Sequence, residues 1–143
     1  RNQPVLEQRT LTDKGIFYTP SGLPRAEREL AATVASKING CIYCASVHAR
    51  KAAQLAKDER AVETLLAVTP GENLSDGQEP RWQAEIDAAA ALSVTPPAIT
   101  SAHLSALEQQ GLDIVEQLDL LQSAAFFAWA NRLMLTLGEP WRD

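Results

Sequence analysis

The sequence has few of the residues that carry most protein chemistry: two cysteines, two histidines and one methionine in 143 residues. Two cysteines cannot build the many-bridged framework of a small secreted domain, and we expect a cytoplasmic protein. No apolar run approaches the roughly 18 residues of a membrane span, and no signal-peptide pattern is present at the start. Because the chain begins at Arg1 rather than Met, we expect a further segment upstream.

Positive charge is also scarce. The formal net charge of −5 disfavours nucleic acids and anionic membrane surfaces as partners. With 45% hydrophobic and 22% charged residues, the composition is that of a soluble globular protein. The length predicts a single domain over residues 1–143, with residues 1–20 as a lead-in arm.

No segment shows the alternation that is typical of a strand, whereas alanine and leucine are abundant and favour helices. The sequence therefore predicts an all-α fold, a bundle of about six helices built from helical hairpins over residues 24–57 and 100–137. The predicted helices cover residues 21–39, 41–57, 58–68, 80–92, 100–111 and 113–137. Their predicted starts are Pro24, Asp58, Pro80, Thr100 and a capping box of Asp113 and Glu116, and their predicted ends include Gly40, Gly138 and Pro140.

Both cysteines lie in one motif, C-x-x-C-x-x-x-H, formed by Cys41, Cys44 and His48. Thiols three residues apart at a helix start are close enough for a disulfide, and a histidine four residues further can accept a thiol proton. The helix start stabilises an anion on Cys41, whereas His48 is the neighbour of Cys44, so these arguments leave open which thiol attacks. The motif indicates thiol redox chemistry.

A helical step of about 100° per residue places the motif on one stripe, which we expect to face the protein interior. The stripe consists of Cys41, Cys44, His48, Ala52 and Leu55. The opposite face consists of Tyr43, Ser46, Arg50, Gln54 and Lys57.

Glu29, on the preceding helix, is a candidate partner for His48. A carboxylate that holds the imidazole in one orientation would complete a relay of the triad type. A single helical glutamate is more often simply solvated, and Glu7 and Glu27 serve as comparisons because they lack this spacing. If Glu29 has the proposed role, it must be buried and within hydrogen-bond reach of His48.

Zinc binding is the alternative for this motif. Cys41, Cys44 and His48 supply three ligands, but structural zinc usually takes four, from separate elements. His103 is the only other imidazole, and we interpret it as structural or exposed. We therefore expect no metal.

The spacing of Glu29, Cys41, Cys44 and His48 resembles the active-site motif of the alkylhydroperoxidase D-like group, in the carboxymuconolactone decarboxylase superfamily. The resemblance is firm over residues 21–57 and extends over 100–138. The segments that carry it are Arg28-Glu29-Leu30, Asn39-Gly40-Cys41-Ile42-Tyr43-Cys44, His48 and, as in the peroxidase-related branch, Phe127-x-x-x-Asn131-Arg132-Leu133.

The resemblance implies an all-helical homo-oligomer, trimer or hexamer, that reduces hydroperoxides with a cysteine pair and no bound cofactor. It implies that Cys44 attacks the peroxide, Cys41 resolves the sulfenic acid, and Glu29 and His48 relay protons. A dithiol such as a lipoyl group, or a thiol protein, would restore the pair. Tyr43 stands where the best-studied type has a second histidine, so a relay through that position is absent.

Two further interpretations remain. The same pair could act as a dithiol–disulfide electron carrier without peroxide turnover. The lactone decarboxylation of the superfamily does not need a cysteine pair, so the presence of Cys41 and Cys44 argues against it.

Overall fold

The computed structural model describes residues 22–69 and 71–137, which form six helices and no strand. In chain order these are α1 (Arg25–Asn39), α2 (Ile42–Ala56), α3 (Glu59–Ala67), α4 (Pro80–Ser93), α5 (Ser101–Gln109) and α6 (Ile114–Leu137). The predicted all-α class is confirmed, and each helix lies within a few residues of its predicted range. The arm over residues 1–20 and the stops at Gly138 and Pro140 lie outside the described residues.

The central helix of the bundle is α1, which packs against α2, α4 and α6. Every side chain from Glu27 to Ser36 is buried. Its hydroxyl groups are satisfied within the helix, because Thr33 donates to the Glu29 carbonyl and Ser36 to the Ala32 carbonyl. Such local bonds remove the cost of burying a polar group. The position of α1 therefore places any chemistry that it carries in the interior.

A tight turn joins α1 to α2 and fixes the first cysteine. Gly40 is left-handed, with φ of 78°, a conformation that glycine adopts without strain. Its N–H donates to the Lys37 carbonyl, and the Cys41 N–H donates to the Ser36 carbonyl. Cys41 is the N-cap of α2, where its Sγ accepts the N–H of Cys44 at 3.4 Å. The predicted hairpin over residues 24–57 is confirmed.

The two helices of the predicted hairpin over residues 100–137 follow each other and are in contact, but α5 packs more extensively against α4 than against α6. Only Leu107 of α5 is buried, so this helix has little apolar surface to hold it against α6. His103 is structural, since its Nδ1 accepts the Thr100 N–H at 3.0 Å at the start of α5. The predicted capping box of Asp113 and Glu116 is confirmed by reciprocal bonds of 3.0 and 2.8 Å.

The longest helix, α6, is apolar on two opposite faces. Its inner face contains Leu120, Ala124 and Phe127, all buried. Its outer face is exposed and is formed by Ile114, Val115, Leu118 and Trp129, which are 67%, 53%, 57% and 48% exposed. Despite this apolar character, none of the described helices is long and apolar enough to cross a membrane.

Candidate active site

The cysteine pair lies at the start of α2 and is oxidised. Cys41 and Cys44 form a disulfide, with their Cα atoms 5.3 Å apart. Both residues are buried, with 0% and 5% of their surfaces exposed. The C-x-x-C spacing is thus compatible with a bridge across one helical turn without displacing the backbone.

His48 and Glu29 form a buried hydrogen-bonded pair one turn further along α2. His48 Nδ1 lies 3.1 Å from Glu29 Oε2, and the residues are 7% and 1% exposed. The geometric prediction for Glu29 is therefore confirmed: it is buried and bonded to the imidazole. The carboxylate at Nδ1 therefore holds the imidazole in one orientation.

The stripe predicted to face inward does so for four of its five residues. Ala52, one turn beyond His48, is buried with the three reactive residues. Leu55 is 43% exposed, so its placement in the interior is wrong. The helical step fixes its direction, but burial depends on what lies opposite, and in the last turn of α2 too little of the bundle covers it. Of the opposite face, Tyr43 is half-buried and the others are exposed.

Two side chains of α6 cover this stripe. The Phe127 ring packs edge-on against the His48 imidazole, with centroids 4.2 Å apart and an interplanar angle of 70°. Met134 places its Sδ 3.6 Å from Cys44 Sγ. Since they lie seven residues apart on α6, both occupy the same face of that helix. Phe127 and Met134 therefore form an apolar wall over the His48 imidazole and Cys44 Sγ.

Sequence reasoning did not assign the buried amide network beneath the turn. Asn131 on α6 is fully buried, donates to Asn39 Oδ1 at 3.1 Å and accepts from the Ser36 hydroxyl at 3.2 Å. Asn39 in turn donates to the Ser93 carbonyl at 3.4 Å. These bonds join the end of α1, and hence the turn before Cys41, to α6 and α4. The only sequence signal was the F-x-x-x-N-R-L resemblance, which gave no role for the asparagine.

An open surface pocket borders Cys41. Its wall includes Ala45, the half-exposed Leu66 and Ile42, of which 82% is exposed. Lys37 also lines it and donates to the Leu66 carbonyl at 2.9 Å. Of the two cysteines, only Cys41 lines this pocket, whereas Cys44 contacts Met134 on α6. The two ends of the disulfide therefore have different surroundings.

No group of three or more histidine, cysteine, aspartate and glutamate side chains within residues 22–69 and 71–137 has the geometry to hold a metal ion. The disulfide engages both thiols that zinc would need. The arrangement is suited to thiol chemistry.

A second buried cluster surrounds Arg81 at the start of α4. Arg81 Nε donates to Glu27 on α1, its Nη1 donates to the Gln110 carbonyl, and its Nη2 lies 3.7 Å from Glu116. Glu85, fully buried one turn along α4, lies 3.8 Å from Arg81 Nε, and neither of its oxygens has a hydrogen-bond donor among the described residues.

Burial is the main reason why the pKa of Glu85 rises from 4.5 to about 10. A hydrogen bond to Glu27 and the charge of Glu27 raise this pKa further, while Arg81 opposes the shift. A protonated acid can donate to the Glu27 carboxylate, whereas an ionised one cannot. Glu85 is therefore neutral at physiological pH.

This cluster also makes Glu27 unsuitable as the comparison for Glu29, for which it was chosen because it lacks the motif spacing. Glu27 is 7% exposed and bonded to Arg81, so its replacement would disturb the bundle. Its position two residues before Glu29 turns it to another face of α1, toward α4. Glu7, the other comparison, lies outside the described residues.

The sequence matches the family model of the carboxymuconolactone decarboxylase family over residues 3–70. A comparison with curated protein sequences gives no match. Among solved structures, the chain is similar to an uncharacterised peroxidase-related protein from Silicibacter sp. TM1040. The two are 27% identical with a TM-score of 0.78, over 94% of this chain and 69% of that one.

A second solved structure has the same fold. It is an uncharacterised peroxidase-related protein from Ralstonia eutropha JMP134, described as an alkylhydroperoxidase AhpD core. The TM-score is 0.83 at 22% identity, over 99% of this chain and 73% of that one. The chain is thus similar to the carboxymuconolactone decarboxylase family over residues 3–70, and it shares its all-helical fold with both of these peroxidase-related proteins.

Proposed function

We propose that this protein is a thiol-dependent peroxidase that reduces organic hydroperoxides with Cys41 and Cys44 and relays protons through His48 and Glu29. The observation that carries the proposal is the buried 3.1 Å hydrogen bond between His48 and Glu29, one turn from the disulfide. A buried carboxylate is costly unless it is paired. Glu29 is paired with His48, and holding a histidine in position beside two thiols is a chemical role for this buried carboxylate.

In the reduced protein, Cys44 is proposed to attack the peroxide. His48 Nε2 takes the thiol proton, and the thiolate bonds to the terminal oxygen of the hydroperoxide while the O–O bond breaks. The departing alkoxide takes the proton back from His48 and leaves as an alcohol, and Cys44 becomes a sulfenic acid. The Phe127 ring excludes water from one side of the imidazole, which strengthens the pairing with Glu29.

Cys41 is proposed to complete the cycle. Its thiolate, at the N-cap of α2 where the Cys44 N–H and the positive end of the helix stabilise an anion, attacks the Cys44 sulfenic sulfur. The S–O bond breaks, the leaving hydroxide takes up the proton that the Cys41 thiol released and departs as water, and the disulfide forms. A dithiol such as a lipoyl group, or a thiol protein, then enters the pocket that borders Cys41. It returns two electrons and two protons to the pair and becomes a disulfide itself.

A dithiol–disulfide electron carrier is the second candidate function. The observation that favours it is the open pocket at Cys41, because the exposed Ile42 would contact any protein that exchanges disulfides there. Such a carrier needs the cysteine pair but gains nothing from rapid reaction of Cys44 with peroxide.

Turnover of cumene hydroperoxide, followed with a dithiol reductant, separates the two functions. We expect turnover in the native protein and none in Cys44→Ser, which keeps Cys41 and the relay. Disulfide exchange with a dithiol but no peroxide consumption above the Cys44→Ser level would favour the carrier. Labelling free thiols before and after mild peroxide is a second test of the peroxidase, since two thiols that stay free exclude that function.

A further inference from the structure

Met134 is the only methionine of the chain, and it lies against the sulfur proposed to react with peroxide. Its Sδ is 3.6 Å from Cys44 Sγ, and the residue is half-buried. A thioether is an oxidisable group, since it can accept one oxygen atom to become a sulfoxide. Any hydroperoxide that approaches Cys44 closely therefore also approaches a second reducing sulfur.

The orientation of α6 places Met134 beside the proton relay as well. Met134 contacts Cys44, and Phe127 contacts His48, so α6 runs antiparallel to α2 at this point. Cys44 and His48 are one turn apart on α2, and Met134 lies at the Cys44 end of this pair. A peroxide held between Cys44 and His48 has the thioether at its side.

We propose that Met134 is an oxidation site of this centre: when Cys41 and Cys44 are already joined as a disulfide, an organic hydroperoxide at Cys44 oxidises the Met134 thioether to a sulfoxide, with His48 moving the proton. The inference rests on the proposed peroxidase function for the presence of hydroperoxide at Cys44. Met134 then reacts with the hydroperoxide that arrives before the reductant has reduced the disulfide between Cys41 and Cys44.

The reaction balances without any further reactant. A lone pair of Met134 Sδ forms a bond to the terminal peroxide oxygen, the O–O bond breaks, and its electron pair stays on the departing alkoxide. The proton of the transferred oxygen passes to His48 Nε2, and His48 returns a proton to the alkoxide, which leaves as an alcohol. Met134 is oxidised by two electrons, the hydroperoxide is reduced by two, and His48 is unchanged.

The test compares Met134 with a methionine whose oxidation depends on exposure alone. The control is the double variant Met134→Leu, Leu135→Met, which moves the sole methionine by one residue. Leu135 is 45% exposed, more than Met134, and one helical step of 100° turns it away from Cys44. Both proteins are prepared with the disulfide formed, treated with cumene hydroperoxide, and followed by the mass increase of the methionine-containing peptide.

We expect Met134 to be oxidised about tenfold or more faster than the control methionine, since acid–base help contributes about 10²–10⁴ in rate. His48→Gln should slow the oxidation of Met134 and leave that of the control unchanged. In the reduced protein, oxidation of Met134 should begin only after the first equivalent of peroxide has formed the disulfide. Met134 oxidation that is no faster than the control, or that is indifferent to His48→Gln, would overturn the proposal.

The outcome is separable from that of the proposed function, because this assay starts from the disulfide and needs no turnover. Cys44-dependent turnover together with slow oxidation of Met134 overturns the oxidation site alone. Rapid oxidation of Met134 that depends on His48, in a protein without peroxide turnover, overturns the peroxidase function and keeps the site.

Discussion

Replacing Glu85 by glutamine should stabilise the protein at neutral and alkaline pH. Glu85 is fully buried, no donor among the described residues reaches its oxygens, and its pKa is raised from 4.5 to about 10. The folded state therefore keeps a proton that the unfolded chain releases above pH 4.5. An amide has nearly the same shape, donates to Glu27 as the protonated acid does, and has no proton to hold.

The magnitude follows from linkage between protonation and folding. Because the folded pKa is the higher one, the contribution of Glu85 is fully present below pH 4.5 and is lost as the pH rises toward 10. Each pH unit in that window lowers the free energy of unfolding by about 1.4 kcal/mol. Between pH 5 and pH 8 the native protein should lose about 4 kcal/mol from this group, a large part of a typical total of about 5–15 kcal/mol.

Urea unfolding followed by circular dichroism from pH 5 to pH 8.5 measures the effect. We expect Glu85→Gln to resemble the native protein near pH 5 and to exceed its free energy of unfolding by about 4 kcal/mol near pH 8. The exposed Glu63 on α3 provides the matched control, because Glu63→Gln should leave the pH dependence unchanged. Parallel pH profiles for Glu85→Gln and the native protein would refute the reasoning, since they would mean that Glu85 is ionised in the folded state.

Three further predictions concern the site and the outer face of α6. His48→Ala should slow the reaction of the reduced cysteine pair with peroxide by a factor of about 10²–10⁴. Lys51→Ala changes a half-buried residue outside the relay and should leave the rate unchanged. Equal rates for the two variants in stopped-flow measurements would remove His48 from the mechanism. Glu29→Gln should keep the fold, as judged by its melting curve, yet lower peroxide turnover and shift its pH profile; unchanged turnover would leave only the cysteine motif. We also expect a homo-oligomer, trimer or hexamer, whose interface buries Leu118 and Trp129. Leu118→Asp should therefore lower the mass measured by light scattering. A native mass near 15.5 kDa at all protein concentrations would contradict this expectation.

The sequence by itself determined the helices and the place of the chemistry. Helix ends are local events, set by a left-handed glycine at Gly40, a side-chain cap at Asp58 and reciprocal bonds between Asp113 and Glu116. Each depends on residues within about four positions, so their spacing along the chain predicts them. The disulfide between Cys41 and Cys44 is equally local, because one helical turn brings the two sulfurs together.

Only the tertiary structure decided which polar side chains meet in the interior. Glu27, Glu29 and Glu85 are all helical glutamates, yet one bonds to arginine, one to histidine, and one is buried without a donor among the described residues. The partners of Glu27 and Glu29 lie 54 and 19 residues away. The resemblance to a known motif indicated the pairing of Glu29 with His48, whereas no local spacing encodes the surroundings of Glu27 and Glu85. The contact of Met134 with Cys44, across 90 residues, has the same origin: it depends on where α6 packs, which the whole core decides.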